Sequence, residues 1–239
     1  MIDPVKREWC GNRSFWDKRY SVAPQLGSGR GSRGYAAVRK NELVRRAIRE
    51  HKITSILDIG CGDLCWLDGE IAEACIYLGC DISEIIIERN TAMHVGVSSP
   101  RFTVHDIAAD PLTATADLLI CFDVLIHQID KARFDYALRN IVSAIRKVAL
   151  VSYLTPPSLD GTPPTEAAIP PEMQELENEF TDMLAHLPRE RTYASIAFHG
   201  PLPDFVRSIR DDLQAEPIGR YRWQTVYEIM PRGNMEKES

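Results

Sequence analysis

The segment ILDIGCGDL, from Ile56 to Leu64, constrains the fold more than any other part of the chain. It begins as an apolar run typical of a buried strand and then changes to two glycines and two carboxylates. Glycine lets the backbone turn tightly and approach a ligand closely. A buried strand that ends in such a loop is typical of an α/β domain, in which ligands bind outside the carboxyl ends of the strands.

Strand-like and helix-like patterns alternate along most of the chain. The strands are apolar on both faces, which favours a parallel sheet covered by helices on two sides. The expected fold is α/β, a doubly wound, mostly parallel seven-stranded sheet with a proline-rich insertion or lid. We expect strands at 53–59, 74–80, 101–105, 117–122 and 148–154, a final extended pair around Gly219, and helices at 36–52, 64–72, 83–94, 131–145, 172–187 and 202–213.

Charge and composition exclude several classes of protein. The formal net charge of −6 argues against a nucleic-acid-binding surface. No apolar run approaches the roughly 18 residues of a membrane span, and the N-terminus lacks the apolar core of a signal peptide. We therefore expect a cytoplasmic protein without nucleic-acid or membrane partners. The six cysteines lack the spacing of a metal site and are expected to be buried, reduced thiols.

The glycine loop does not match a dinucleotide-binding loop. That loop has the pattern G-x-G-x-x-G, with a third glycine beside the pyrophosphate. Here Cys65 or Trp66 stands where the third glycine belongs, and Asp63 would repel a pyrophosphate. A cationic ligand tolerates carboxylates at Asp58 and Asp63, which favours S-adenosylmethionine, a ligand with an ammonium, a sulfonium and no phosphate.

Four segments between about residues 53 and 127 resemble the motifs of class I S-adenosylmethionine-dependent methyltransferases, beginning with ILDIGCGD. The resemblance implies a Rossmann-like methyltransferase fold. It also implies that the glycine loop lies against the methionine part of the cofactor, that Asp81 accepts hydrogen bonds from the ribose hydroxyls, and that Asp106 meets the adenine amino group. The cofactor-binding residues expected in this part of the chain are Asp58, Gly60, Gly62, Asp81, Ile82, Asp106, Ile107 and Phe122.

A narrower resemblance comes from RYSVAPQLGSGRGSRG and from the D-V-x-x-H pattern that begins at Asp123. Both are similar to a bacterial group of methyltransferases that act on sugar hydroxyls of polysaccharides and glycans. This resemblance implies that four residues lie near the methionine end of the cofactor: Tyr20, Ser28, Gly29 and Ser32. The chain departs from the group in its proline-rich insertion, which leaves the acceptor open.

The acceptor side is expected to carry a general base. A sugar hydroxyl is a poor nucleophile, so proton removal should accompany methyl transfer. His127 is the first candidate because histidine titrates near neutrality, and His199 is the second. Tyr153, Tyr193 and Arg222 are expected to line the acceptor pocket.

A metal is the alternative way to activate the acceptor. Asp123 and His127 are the two candidate ligands, and some class I O-methyltransferases hold Mg²⁺ to polarise the acceptor oxygen. Magnesium prefers hard oxygen ligands, and the sequence offers one sure carboxylate at this place. S-adenosylmethionine is thus the expected cofactor, with Mg²⁺ as an open addition.

Three hypotheses about function remain. The first is methyl transfer to a hydroxyl of a sugar or oligosaccharide. The second is N- or O-methylation of a non-sugar small metabolite, and the third is a catalytically silent binding module on the same fold.

The expected domain organisation is the same for all three hypotheses. Residues 1–52 form an N-terminal lid with a cofactor-covering helix, residues 53–230 form the methyltransferase domain with an insertion at 155–200, and residues 231–239 form a disordered tail.

Overall fold

A computed structural model describes residues 11–96, 98–157, 164–178 and 196–233. In this part of the chain a seven-stranded sheet has the order β3-β2-β1-β4-β5-β7-β6. The first five strands are parallel, whereas β7 is antiparallel to both β5 and β6. The strands are β1 (Ser55–Ile59), β2 (Ile76–Asp81), β3 (Arg101–Val104), β4 (Leu118–Cys121), β5 (Val148–Leu154), β6 (Leu213–Tyr221) and β7 (Gln224–Pro231).

Helices cover both faces of the sheet, as expected for a doubly wound fold. The helices are α1 (Asn12–Val22), α2 (Gly34–His51), α3 (Gly69–Ala74), α4 (Glu84–Met93), α5 (Lys131–Ala144) and α6 (Leu202–Ile209). One core joins alternate residues of β1, such as Leu57 and Ile59, to α5 and α6. The other joins Ile56 of the same strand to α2 and α3.

The predicted fold class is confirmed, and for two of the fully described elements a boundary differs from the prediction by more than two residues. The helix expected at 64–72 begins only at Gly69, because Asp68 caps it by accepting a hydrogen bond from the N–H of Glu70. The preceding residues form turns of the glycine loop. The helix expected at 202–213 ends at Ile209, since Leu213 already belongs to β6.

The predicted insertion is described only in part. Residues 164–170 are not helical, and the predicted acidic helix is present at 174–178, where its description ends. The rest of that helix lies outside the described residues, as does most of the predicted disordered tail. Within the described ranges, none of the helices combines the length and the apolar character needed to cross a membrane.

Candidate active site

A pocket lies at the carboxyl ends of the parallel strands. β1 stands between β2 and β4 in the sheet, so the loops after these strands diverge and leave a crevice. The lining includes most of the residues predicted from sequence, which reach it from α1, the loop before α2 and the ends of four strands. They are Tyr20, Ser28, Ser32, Gly60, Gly62, Asp81, Ile82, Asp106, Ile107, Phe122, Asp123 and His127.

Two left-handed residues shape the glycine loop. Gly60 has a φ of 74° and Gly62 a φ of 57°. The N–H groups of Gly60 and Cys61 donate to the carbonyl of Cys80 at 2.7 and 3.0 Å, which ties the loop to β2. A Cβ on Gly62 would lie 2.1 Å from Oγ of Ser28. Both the backbone conformation and the close approach therefore require glycine at this position.

Asp81 ends β2 as a buried acceptor that faces the pocket. Its carboxylate accepts hydrogen bonds from the N–H groups of Gly62 and Ser83, at 3.0 and 2.9 Å. Burial raises the pKa of Asp81 to about 6, although these two hydrogen bonds lower it. A carboxylate offers about four lone-pair sites. Asp81 can therefore accept further hydrogen bonds from hydroxyl groups of a ligand.

Asp58 lies outside the pocket, contrary to its prediction as a cofactor-binding residue. It is 1% exposed and accepts a hydrogen bond from the hydroxyl of Tyr77 at 2.5 Å. Because side chains alternate along a strand, Asp58 shares the face of Ile56, opposite to that of Ile59. Burial raises the pKa of Asp58 to about 7, against the hydrogen bond from Tyr77.

The loop before α2 covers the glycine loop and is anchored to Asp63. Ser28 donates to Asp63 through Oγ at 2.8 Å, the hydroxyl of Tyr20 lies 3.0 Å from the same Oγ, and Arg33 forms a salt bridge with Asp63 at 2.9 Å. Burial raises the pKa of Asp63, but the surrounding hydrogen bonds and cation outweigh burial and keep it below its usual value. Gly29 was predicted to bind the cofactor but does not line the pocket; its φ of 89° serves the turn.

Asp106, after β3, lines the pocket but already has protein partners. Arg133 approaches its two carboxylate oxygens at 2.8 and 3.1 Å, and the N–H of Ala108 donates to it at 3.0 Å. The predicted contact of Asp106 with adenine thus concerns a carboxylate that shares its lone pairs with Arg133. Ile82, Ile107 and Phe122 supply the apolar surface of the pocket.

His127 and Asp123 lie on the pocket wall after β4. His127 closes the short 3-10 turn Leu125–His127, and its ring meets that of Trp16 edge-on at 5.4 Å. Asp123 has a φ of 60°, an uncommon conformation for a residue with a Cβ. The structure therefore brings the predicted base, His127, and the carboxylate of Asp123, whose backbone is left-handed, to the same pocket as the glycine loop.

Three donors from three elements hold Asp123. Nζ of Lys40 on α2 lies 2.5 Å from Oδ2. The hydroxyl of Tyr221 donates to Oδ1 at 3.2 Å, and the side-chain amide of Gln224 donates to the same oxygen. Burial alone raises the pKa of Asp123, but Lys40 and Gln224 outweigh burial and lower it below the usual value.

These donors do not support the predicted magnesium site at Asp123 and His127. Magnesium needs oxygen atoms free to coordinate it, and both oxygens of Asp123 already accept hydrogen bonds from the protein. Within the described ranges, the metal-capable side chains that come close together as a group of three are Glu50, His51 and Glu228. None of these three lines the pocket.

His199 and Tyr153 lie behind the pocket, although both were predicted to act in it. Nε2 of His199 is 2.7 Å from the carbonyl of Gln128, and its ring packs against Phe134 at 4.7 Å. Tyr153 is fully buried, and its hydroxyl accepts a hydrogen bond from the N–H of His199 at 2.7 Å. These contacts give both residues structural roles.

Arg222 also lies outside the pocket and acts as a link between segments. It forms salt bridges with Glu166 at 2.8 Å and Glu177 at 2.5 Å, and it donates to the carbonyl of Arg30 at 3.1 Å. It thereby joins the hairpin of β6 and β7 to the insertion and to the loop before α2. Tyr193, the remaining predicted substrate residue, lies outside the described residues.

Sequence reasoning missed several residues of the site, among them Asn12, Trp16 and Lys40. Asn12 and Trp16 of α1 line the pocket, and no local pattern marks them. Lys40 does carry a signal, because it stands four residues after Ala36 and four before Val44 on the buried face of α2. A lysine in the middle of an apolar helix face is almost never buried unless it is paired.

The lining fits a cationic nucleoside ligand. Asp81 is a buried acceptor that forms no salt bridge with any described residue, and the apolar side chains of Ile82, Ile107 and Phe122 line the same pocket. Bound S-adenosylmethionine would present two ribose hydroxyls to such an acceptor and a cationic sulfonium to a wall that carries carboxylates. The chemistry of the pocket therefore agrees with the cofactor that the resemblance implies.

Comparison with known proteins gives one family. The model of the family described as Nodulation protein S (NodS) matches residues 30–153, just over half of the chain. This range includes α2, the glycine loop, Asp81, Asp106, Asp123 and His127. No curated protein matches the chain.

Solved structures share the fold at low identity. Magnesium protoporphyrin IX methyltransferase (ChlM) from Synechocystis PCC 6803 with bound SAH has a TM-score of 0.56 at 17% identity, and the match covers 92% of this chain and 100% of that chain. N-methyltransferase NodS from Bradyrhizobium japonicum WM9, in complex with S-adenosyl-L-homocysteine, has a TM-score of 0.57 at 12% identity, with coverages of 92% and 100%. The DhpI-SAM-HEP complex has a TM-score of 0.59 at 13% identity, with coverages of 91% and 95%.

The family match and the fold agree with the pocket. S-adenosylmethionine is the cofactor, and the reaction is methyl transfer. The chain belongs to the NodS family and is a class I S-adenosylmethionine-dependent methyltransferase.

Proposed function

We propose that this methyltransferase acts on a hydroxyl of a sugar or oligosaccharide and that His127 is the general base. The observation that carries this proposal is the position of His127 on the wall of the pocket that Gly60, Gly62 and Asp81 also line. A hydroxyl must lose its proton as its oxygen is methylated, so a base is needed beside it.

The cofactor is proposed to lie with its methionine part at the glycine loop, its ribose at Asp81 and its adenine near Asp106 and Ile107. Asp81 supports this placement, since it is a buried acceptor that forms no salt bridge with any described residue. Bound S-adenosylmethionine supplies a methyl group on a sulfonium sulfur. The protein's own part is to align the two reactants and exclude water from them.

The N-terminal segment 1–52 is proposed to cover the cofactor. Its described part supports this role, because Asn12, Trp16 and Tyr20 of α1 line the pocket and Ser28 lies against Gly62. Trp16 also packs edge-on against His127. The covering helix therefore shields the proposed base from solvent.

N-methylation is the second candidate, favoured by a specific finding. The chain belongs to the NodS family, and the solved NodS structure is described as an N-methyltransferase. An amine is a better nucleophile than a hydroxyl when neutral, so it depends less on a base in the transition state. The two candidates therefore differ in how strongly the reaction needs His127.

A matched pair of acceptors tests the proposal. A glucosamine oligomer and its fully N-acetylated counterpart carry similar hydroxyls, but only the first has free amines. Incubation with methyl-labelled S-adenosylmethionine should label both oligomers if oxygen is the acceptor atom, and only the first if nitrogen is. Label in neither would exclude glucosamine oligomers as acceptors, and the same assay on neutral hexose oligomers and on non-sugar metabolites would then decide between a sugar and a non-sugar acceptor.

Substitution of the two histidines then tests the base. His127→Ala should lower kcat by about 10²–10⁴-fold while the Kd for S-adenosylmethionine stays within about threefold. His199→Ala is the matched control, because His199 lies behind the pocket and should change kcat little. A chelator should leave the wild-type rate unchanged, and loss of activity on chelation would restore the metal hypothesis.

A further inference from the structure

The buried ion pair of Lys40 and Asp123 carries an inference about the reaction itself. Lys40 is 1% exposed, and its Nζ lies 2.5 Å from Oδ2 of Asp123. The same ammonium lies 5.8, 5.4 and 5.0 Å from the ring centroids of Trp66, Phe122 and Tyr221. These aromatic faces and the carboxylate together compensate the cost of burying the cation.

Asp123 is the end of this pair that reaches the cofactor pocket. Its side chain keeps 20% of its exposure, and it lines the pocket with Gly60 and Val124. Its N–H donates to Oγ of Ser152 at 2.9 Å, which helps to fix the left-handed backbone. Residues with an uncommon backbone conformation persist only where surrounding contacts hold that conformation, and they cluster at functional sites.

The charge of this wall matters because the methyl donor loses its own charge in the reaction. S-adenosylmethionine carries a sulfonium, and its product, S-adenosylhomocysteine, is a neutral thioether. A bare carboxylate in a pocket poor in water would attract the sulfonium of the bound donor more than a transition state in which that charge is spreading. Such ground-state binding does not accelerate methyl transfer.

We propose that Lys40 is a positioning residue that acts through Asp123. Lys40 holds the carboxylate of Asp123 against the pocket wall, where the carboxylate remains a hydrogen-bond acceptor. Lys40 also compensates the negative charge that the sulfonium of a bound donor would otherwise meet. Tyr221 and Gln224 fix the orientation of Asp123 but carry no charge, so only Lys40 can provide this balance among the three donors. The proposal rests on the cofactor placement given above and is independent of the acceptor.

The test compares two ligands by titration calorimetry, S-adenosylmethionine and S-adenosylhomocysteine. The ratio of their Kd values measures how strongly the pocket prefers the sulfonium over the thioether. Lys40→Met leaves the carboxylate unbalanced and should raise this preference about tenfold. Asp123→Asn leaves the cation of Lys40 unbalanced and should lower the preference about tenfold.

The double variant Lys40→Met/Asp123→Asn removes both charges and should return the preference to within about threefold of wild type. This pattern of opposite signs and recovery distinguishes charge balance from a general structural defect. If Lys40→Met alone does not fold, Asp123→Asn and the double variant still decide the matter. Lys147→Met is the matched control, because its ammonium lies on the surface near the carbonyl of Lys52 and should change nothing.

Two outcomes would overturn the proposal. The first is a preference that stays within about twofold of wild type in the single variants, which would show that the pair does not act on the sulfonium. The second is a shift in the same direction in both variants. If the wild-type protein bound neither ligand, the cofactor placement would fail as well, whereas failure to methylate any sugar would leave this test unaffected.

Discussion

The carboxylates at the ends of β2 and β4 face the same pocket with opposite electrostatics. Asp81 has no salt bridge with any described residue, and burial raises its pKa to about 6. Asp123 pairs with Lys40, and its pKa lies below the usual value despite burial. The difference shows that burial alone does not set the behaviour of an acid; a buried cation beside it does.

The comparison also assigns different tasks to the two ends of the pocket. An acid without a cation is costly in the free protein and is stabilised when a ligand supplies hydrogen-bond donors. An acid whose charge is already compensated by a neighbouring cation gains little from a ligand's charge, but it offers a hydrogen-bond acceptor in a fixed orientation. We therefore expect Asp81 to govern cofactor affinity and Asp123 to govern what happens after binding.

The largest expected effect follows from removing Asp81. Asp81→Ala deletes an acceptor proposed to take hydrogen bonds from both ribose hydroxyls, each worth about 1.5–3 kcal/mol because the acceptor is charged. The Kd for S-adenosylmethionine should rise at least about a hundredfold, as measured by titration calorimetry. Asp81→Asn should lie between this variant and wild type, and an unchanged Kd in Asp81→Ala would place the ribose elsewhere.

A matched pair of substitutions tests the role of the cation next. Asp123→Asn leaves Lys40 buried without a partner and should lower the free energy of unfolding by about 3 kcal/mol. Asp58→Asn removes a buried acid with no salt bridge among the described residues and should raise it by about 2 kcal/mol at pH 8. Urea denaturation of the cofactor-free protein measures both changes in the free energy of unfolding. If the two changes had the same sign, the presence of a paired cation would not be what distinguishes Asp123 from Asp58.

The stability gain expected from Asp58→Asn has a defined pH window. Burial raises the pKa of Asp58 in the folded protein to about 7, well above its value in an unfolded chain. The folded state therefore binds more protons than the unfolded state between about pH 4 and 7, and stability falls as the pH rises through that range. The gain from Asp58→Asn should shrink toward pH 5.

The sequence predicted the sheet and the glycine loop because both are local patterns. Each signal lies within a few residues: Gly60 directly follows the apolar strand β1, and Asp81 directly ends the apolar strand β2. Strand alternation also contained the signal that Asp58 faces away from the pocket, since Ile56 and Asp58 share one face. That signal was outweighed by the position of Asp58 beside the glycines.

The acceptor side was less predictable because it is assembled from distant segments. Asp123 meets Lys40, Tyr221 and Gln224, which are separated from it by 83, 98 and 101 residues. His199 lies at the end of the predicted insertion, and its place against Phe134 depends on how that segment returns to the sheet. Neither arrangement leaves a local pattern in the chain.

Cofactor binding should depend on pH through Asp81. Its carboxylate must be ionised to accept two hydroxyl donors fully, and its pKa in the free protein is about 6. The affinity for S-adenosylmethionine should be constant above about pH 7 and should fall about tenfold between pH 7 and pH 5. Asp81→Asn should abolish this dependence, whereas a dependence that survived in the variant would assign it to another group.

The smallest expected effect comes from one chemical change made at two acids. Tyr221→Phe deletes a donor 3.2 Å from Asp123, but Lys40 and Gln224 remain, so the loss of stability should be about 1 kcal/mol. Tyr77→Phe deletes the donor 2.5 Å from Asp58, an acid with no salt bridge among the described residues, and should cost about 2 kcal/mol at pH 8. Urea denaturation at one pH compares them directly. Equal losses would mean that Lys40 does not buffer Asp123 against the loss of a neutral partner, and the distinction between the two kinds of buried acid would then rest on burial alone.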